Sequence, residues 1–320
     1  MIVFHAPGEV PDGFGPSVVA IGKFDGVHSG HRAVIDRARV AAAEAGARVV
    51  AVTFDRNPLS LLRPELCPEP LVSLDQKLGL LAEAGVDATL VLRFDRALAD
   101  LAPRAFVEHM LVGALGVVHV LVGDDFRFGK GGAGTPQTLA GMGEEFGFRT
   151  DVVGDIEGGG RRVSSTWVRD LLAAGDVADA ARLLGRPQEV RGEVVHGLKR
   201  GRELGFPTAN LSGHLEGFVP ADGVYAGWLF DEGPDPDAPA HPVTRYPAAI
   251  SVGTNPTFDD VHARQVEAYV LDEDALDLYD HRVRVAFTRR IRGMVAFSGI
   301  DALIAQMVND VARVRDALGE

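Results

Sequence analysis

The chain has 320 residues, about two domains on the usual scale of ~150 residues each. Its 32 Lys and Arg against 45 Asp and Glu leave a formal charge of −13, which argues against a broad duplex-binding face while leaving small basic pockets open. With 46% hydrophobic and 24% charged residues, the composition excludes wholesale disorder.

The first half alternates short β-branched runs with Ala- and Leu-rich helical patterns. Strands are predicted at Val18–Ile21, Val49–Phe54, Ala88–Leu92, Val118–Val122 and Asp151–Val153, with helices at Arg32–Ala45, Asp75–Ala84, Pro103–Leu115 and Pro136–Glu145. Successive strands stand about thirty residues apart, the size of a βαβ unit, so this half is expected to be a doubly wound parallel-sheet domain. A helix capped by Ser164 or Ser165 follows, then a short helical piece Val177–Leu184. Gly185-Arg186-Pro187 breaks the pattern, and the boundary is placed there, giving domains 1–186 and 187–320.

Beyond Pro187 the rhythm changes to short runs at Glu189–His196, Gly223–Phe230, Pro247–Val252, Gln265–Leu271, Arg282–Phe287 and Arg289–Val295. Six strands without intervening helices predict a small antiparallel β-barrel. An amphipathic terminal helix, Gly299–Leu318, carries Leu303, Met307, Val311 and Val314 on one face. The loop Asp231–His241 reads as a solvated excursion. The fold class expected is thus α/β plus β.

Cys67 is the single cysteine, so no internal disulfide or C-x-x-C pair can form and a reducing compartment is the natural reading. No leader-like start and no run of 18 apolar residues occurs. A cytoplasmic protein without nucleic-acid or membrane partners is expected, and a homo-oligomer stays open.

The first strand runs into Gly22-Lys23-Phe24-Asp25-Gly26-Val27-His28-Ser29-Gly30-His31, directly before a helix. In open parallel sheets, ligands bind at the carboxyl ends of strands, and helix N-termini offer free N–H groups to anions. His28 and His31, three residues apart, can point together and suit charge developing on a transferring phosphorus. Read alone they could equally be turn histidines or part of a metal site. The decapeptide resembles the phosphate-binding signature of nucleotidyltransferases that move adenylyl or cytidylyl groups, and Val163-Ser164-Ser165-Thr166-Trp167-Val168-Arg169 resembles that superfamily's second signature. Two look-alike motifs are rejected: Gly129–Gly134 is not a dinucleotide fingerprint, and Gly123 to Lys130 is not a P-loop, since Gly131 stands where Ser or Thr is needed. A flexible substrate loop is expected there.

In the second half, Gly192 to Leu211 holds Gly197, Lys199, Arg200, Gly201 and Arg202, followed by Pro207-Thr208-Ala209-Asn210. Alternate side chains on an extended chain point the same way, so a Thr hydroxyl and an Asn carbonyl two apart can both meet hydrated Mg2+; an ordinary turn and edge strand read as well. This passage resembles the riboflavin kinase signature, as do Gly253 to Phe258 and Val266 to Asp272. From about Ser17 to the terminal helix, the chain resembles the bifunctional bacterial riboflavin kinase/FMN adenylyltransferases, commonly called FAD synthetases.

The resemblance implies phosphorylation of riboflavin to FMN by ATP and transfer of AMP from ATP to FMN, giving FAD and pyrophosphate. It implies Glu267 as catalytic base of the kinase, Thr208 and Asn210 as holders of the Mg2+–nucleotide, and Gly197, Lys199 and Gly201 as phosphate-binding residues. In the first domain it implies His28 and His31 at the α-phosphate, a phosphate cradle of Gly22, Phe24, Asp25, Gly26 and Gly30, and Ser165, Thr166 and Arg169 at the outer phosphates. Asn57, in Thr53-Phe54-Asp55-Arg56-Asn57-Pro58, and Asp125, in Gly123 to Gly129, match substrate-contacting segments. The chain departs from the pattern where Asp280 replaces a usual Gly after Tyr279, and at Met294. These departures suggest one alternative, an adenylyltransferase with an impaired kinase; a second, a non-catalytic flavin-binding or regulatory module built on the same two domains, is opposed by the presence of His28, His31, Arg169, Thr208, Asn210 and Glu267.

Overall fold

A computed structural model describes residues 1–196, 205–234, 243–254, 264–273 and 276–320. Strands covered by helices on both faces read as continuous apolar runs rather than alternating ones, and every residue of Ser17–Ile21 and Ala88–Leu92 is buried. The chain divides into two compact units, Met1–Ser165 and Thr166–Glu320.

In chain order the first unit contains β1 (Ile2–Phe4), β2 (Ser17–Ile21), α1 (Ser29–Ala45), β3 (Arg48–Phe54), α2 (Leu59–Leu62), α3 (Leu74–Glu83), β4 (Ala88–Leu92) and α4 (Arg96–Ala99). Then come α5 (Pro103–Phe106), continued by a π-helical stretch Val107–Ala114, β5 (Val117–Gly123), α6 (Pro136–Phe146), β6 (Arg149–Val153), and a hairpin of β7 (Glu157–Gly158) and β8 (Arg161–Arg162). The main sheet is parallel in the order β1-β4-β3-β2-β5-β6. One face packs Val19, Ile21, Val50, Val52, Leu90 and Val120 under the α5 and π-helical stretch and α6. On the other, Val18, Ala20, Val49 and Ala51 meet Ile35 and Ala38 of α1 and Leu80 and Leu81 of α3. Strand β2 lies between β3 and β5, where the winding reverses, and the carboxyl ends of strands at such a reversal form a crevice. Sequence reasoning missed β1, whose three residues are too few for periodicity to register.

The second unit begins with α7 (Ser165–Ala174, of which Ser165 belongs to the first unit) and α8 (Val177–Leu184). It continues with β9 (Gln188–Val195), β10 (Thr208–Leu211), β11 (Gly223–Asp231), β12 (Thr244–Thr254), β13 (Arg264–Val270), β14 (Arg282–Arg292) and α9 (Ile300–Leu318). The strands close a barrel in the order β10-β13-β12-β11-β14-β9, which leaves no open sheet edge. Sequence rhythm changes at Pro187, whereas the division by compactness falls earlier because α8 packs on β9 and β14 and α7 is tied to the barrel. The Leu172 and Ala174 carbonyls accept from the Ala221 amide and the Arg290 guanidinium, each at 2.9 Å.

The six strands differ from those expected. Arg282–Phe287 and Arg289–Val295 are one strand, β14, and Thr208–Leu211 is the sixth. Opposite β11, the register skips Thr288 and again Ile291. Each extra residue inverts the inside-outside phase, so one bulged strand imitates two. The loop beginning at Asp231 also differs in its described part: Asp231 is buried, with its carboxylate 2.9 Å from His281 Nδ1, and Glu232 pairs with Arg191 and Arg284. Residues 235–242 lie outside the described residues.

Candidate active sites

Between β2 and α1 the backbone turns through left-handed conformations at Phe24 (φ 50°), Gly26 (φ 83°) and Val27 (φ 42°). A β-branched residue there is a strained arrangement, held only where the surroundings over-determine it. Here Phe24 and Val27 are both buried in the core. The turn delivers His28 to the head of α1, where its ring stacks on His31, centroids 3.7 Å apart and planes 18° apart, while Phe24 meets His31 edge-on. The Cβ that Gly30 lacks would stand 3.2 Å from His28 Cε1 and Nδ1, tighter than ordinary contact, so a side chain there would press on the ring. His31 Nδ1 is sealed from solvent without a hydrogen-bond partner among the described residues. Burial first, then the neighbouring His28, Lys23 and Lys77, hold the His31 pKa well below the usual imidazole value.

The rest of the turn is braced from elsewhere in the first unit. Asp25 accepts from the Leu71 amide through Oδ1 at 2.8 Å, and its carbonyl accepts from Ser165 Oγ at 2.8 Å, so Ser165 donates to the turn. Gly22 faces the Phe24 ring. Asn57 follows β3, and its Oδ1 accepts from the Leu59 amide at 3.0 Å, leaving Nδ2 as its group for a ligand. After β5, Asp125 accepts from Arg162 Nη2 at 2.8 Å, and the same guanidinium reaches Asp155 at 2.8 Å. The loop beyond is more tied than the flexible segment expected: Phe128 and Gly134 exchange backbone hydrogen bonds, and the Lys130 amide donates to Leu101. Thr166 and Arg169 lie on the first turns of α7 in the second unit, Thr166 exposed and Arg169 half-buried.

In the barrel, Asn210 of β10 stands directly opposite Glu267 of β13, and Thr208 opposite Tyr269. Val266 and Ala268 are fully buried, so Glu267 and Asn210 share the other, half-exposed face. Asn210 Nδ2 donates to the Thr208 carbonyl at 3.1 Å and to its Oγ1 at 3.3 Å; the two side chains are therefore adjacent. Burial pushes the Glu267 carboxyl above its usual value. Asp280 adopts φ 61°, the conformation for which glycine is usual and which aspartate tolerates better than most residues. Met294 is exposed. Gly197, Lys199, Arg200, Gly201 and Arg202, and the segment from Asn255 to Phe258, lie outside the described residues.

One group escaped sequence reasoning. Lys77 of α3 is 9% exposed, and its Nζ donates to the Phe54 carbonyl at 2.8 Å, to Thr53 Oγ1 at 3.3 Å and to the Lys23 carbonyl at 3.5 Å. The signal was available: Lys77 occupies the i position of the apolar stripe completed by Leu80, Leu81 and Ala84.

Comparison with known proteins agrees with both halves. The family described as FAD synthetase matches residues 12–167 and the family described as riboflavin kinase matches residues 184–318. The chain is 38% identical over 302 residues to the bifunctional riboflavin kinase/FMN adenylyltransferase of Escherichia coli strain K12, covering 94% of this chain and 93% of that one. It is 38% identical over 298 residues to the protein of the same description from Pseudomonas fluorescens, covering 93% and 92%. A crystal structure described as a macrolide-efflux protein from Streptococcus pneumoniae superposes with a TM-score of 0.84 at 30% identity, covering 98% of each chain. Among the described residues of this chain, no helix is long and apolar enough to cross a membrane.

Proposed function

The chain belongs to the family of bifunctional riboflavin kinases/FMN adenylyltransferases, and from that premise we propose which of its residues carry the two reactions. It is an enzyme that phosphorylates riboflavin to FMN with ATP and then transfers AMP from ATP to FMN, forming FAD and pyrophosphate. We assign residues 1–186, through the Ser/Thr-Arg turn, to adenylyl transfer and residues 187–320 to the kinase.

The observation that carries the first assignment is the stacked His28–His31 pair at the carboxyl end of β2. An FMN phosphate oxygen attacks the α-phosphorus of ATP, the new O–P bond forms, and the bond to the β-phosphate oxygen breaks as pyrophosphate leaves. Such transfers depend on positioning and charge rather than a covalent nucleophile. His28 and His31 donate to the oxygens where charge builds, and the burial that lowers the His31 pKa favours its neutral form, with a single N–H. Gly22, Phe24, Asp25, Gly26 and Gly30 shape the cradle at the head of α1. Ser165, Thr166 and Arg169 take the outer phosphates, while Asn57 and Asp125 contact the flavin substrate.

In the kinase, the ribityl 5′-hydroxyl attacks the γ-phosphorus of ATP, its proton passes to Glu267, and ADP departs. The carboxyl raised by burial is a better base than an ordinary glutamate once ionised. Gly197, Lys199 and Gly201 complete the phosphate site in this reading. Thr208 and Asn210, whose side chains are adjacent, would offer Mg2+ a neutral hydroxyl and a neutral amide oxygen. Among the described residues no group of three or more His, Cys, Asp or Glu could hold a metal, so phosphates and water would supply the remaining ligands, as Mg2+ favours. When bound, the ion neutralises charge on the phosphates. The lone Cys67 supports action in the cytoplasm, and the acidic balance supports small molecules rather than nucleic acid as partners.

The test is a chromatographic time course of riboflavin, FMN and FAD with ATP and Mg2+. His28→Ala or His31→Ala should accumulate FMN and form no FAD; FAD formed at the normal rate would sink the histidine assignment.

A further inference from the structure

Lys77 sits where the two loops of the adenylyl-transfer site begin. The Phe54 carbonyl and Thr53 hydroxyl belong to the end of β3, and the Lys23 carbonyl belongs to the turn that carries His28 and His31. Thr53 Oγ1 also donates to the Lys23 carbonyl at 3.2 Å, closing a small network across the β2–β3 seam. Three acceptors meet the three N–H bonds of an ammonium, which leaves none for a substrate phosphate. Burying an ammonium is costly, and an apolar residue would serve a helix–sheet interface better unless the charge has a use.

We propose that Lys77 is the positioning residue of the adenylyl-transfer site, tying the His28–His31 turn to the loop after β3 and setting a buried positive charge beside the histidine pair. This rests on the assignment of that pair to the reaction. The charged and titratable neighbours of His31 are His28 on its own helix, Lys23 in the preceding turn and Lys77 on α3. The carboxylates acting on Lys77 are Asp25 and Asp55, one from each loop. Each is anchored by a backbone amide, Leu71 for Asp25 and Phe94 for Asp55, so charge and anchors stand together at the loop roots. Burial brings the Lys77 pKa down to about 8, with the two carboxylates opposing it. The ammonium is thus present at neutral pH and is lost just above it.

The experiment compares Lys77→Met, Lys77→Arg and His31→Ala in the full-length protein, with the denaturation profile of each as a control for folding and riboflavin phosphorylation in the same samples as a control for the second unit. Lys77→Met should lower kcat for FMN adenylylation by about 10- to 100-fold, the scale of a misplaced reacting group, and leave FMN formation from riboflavin intact. Its His31 imidazole, followed by NMR in 13C-histidine-labelled protein and assigned by its loss in His31→Ala, should titrate at higher pH than in the parent. In the parent, adenylylation should fall as the Lys77 ammonium is lost above about pH 8; Lys77→Arg keeps a permanent charge, so it should remove that fall and return the His31 titration toward the parent value. An adenylylation kcat within about 3-fold of the parent in Lys77→Met, or an unmoved His31 titration in Lys77→Met, overturns the proposal, as does a His31 titration in Lys77→Arg displaced far from that of the parent. Normal adenylylation by His31→Ala instead overturns the histidine assignment on which it rests.

Discussion

Asn210 and Glu267 are cross-strand partners in the antiparallel β10–β13 ladder, with Thr208 two residues along on the Asn210 side. The register thus sets the proposed base beside the proposed metal ligands. Glu267→Gln should lower riboflavin phosphorylation by about 100-fold or more, the usual worth of a positioned base, while adenylylation of supplied FMN is unchanged. Because burial raises the Glu267 pKa and the base works ionised, the acid limb of the kinase profile should lie above the pH expected for an ordinary glutamate. A profile whose acid limb falls at or below the ordinary glutamate value would contradict the assignment.

Gly30→Ala tests the packing of the histidine pair. The added Cβ would stand 3.2 Å from the His28 ring, tighter than ordinary contact, while its next neighbour, the Val163 carbonyl, is 3.8 Å away. The ring must shift, and small displacements at a reacting centre cost up to about 100-fold. Adenylylation should fall at least 10-fold on this scale, and the kinase rate should stay constant. Equal loss of both would point to general unfolding.

Asp280 carries a left-handed backbone, and its amide donates to the Val194 carbonyl at 3.0 Å. Aspartate bears that conformation at modest cost, whereas a β-branched side chain does not. Asp280→Gly should leave stability within about 0.5 kcal/mol, and Asp280→Val should lose about 1–2 kcal/mol. Denaturant midpoints for the three proteins decide it, and an unaffected Val variant would remove the backbone argument.

Asp310 of α9 is 4% exposed and accepts from Arg292 Nε at 2.9 Å and Nη2 at 2.7 Å, with Gln306 Nε2 at 2.8 Å. The cluster fastens the terminal helix to β14. Asp310→Ala leaves a buried guanidinium without its carboxylate, a loss of about 3–5 kcal/mol, which should appear as a lower denaturation midpoint with riboflavin phosphorylation more heat-labile. The double variant with Arg292→Met should recover part of that loss, since removing both charges is far less costly than removing one.

Much of this molecule was legible from sequence because the relevant signals are local. Apolar runs some thirty residues apart specify strands of a parallel sheet, and the β2–α1 decapeptide and the Pro207–Asn210 segment mark the proposed phosphate sites through spacings of a few residues. Other features depend on groups distant in the chain. The β14 strand looked double because two bulges against β11 reverse its phase, and a bulge exists only relative to a partner strand. Glu267 becomes a desolvated carboxyl opposite Asn210 only through pairing across 57 positions. Lys77 finds its acceptors 23 and 54 positions away. Sequence by itself determined the fold class and the places where chemistry can occur; tertiary structure decided which charges are buried together, because desolvation and strand register are properties of neighbours in space.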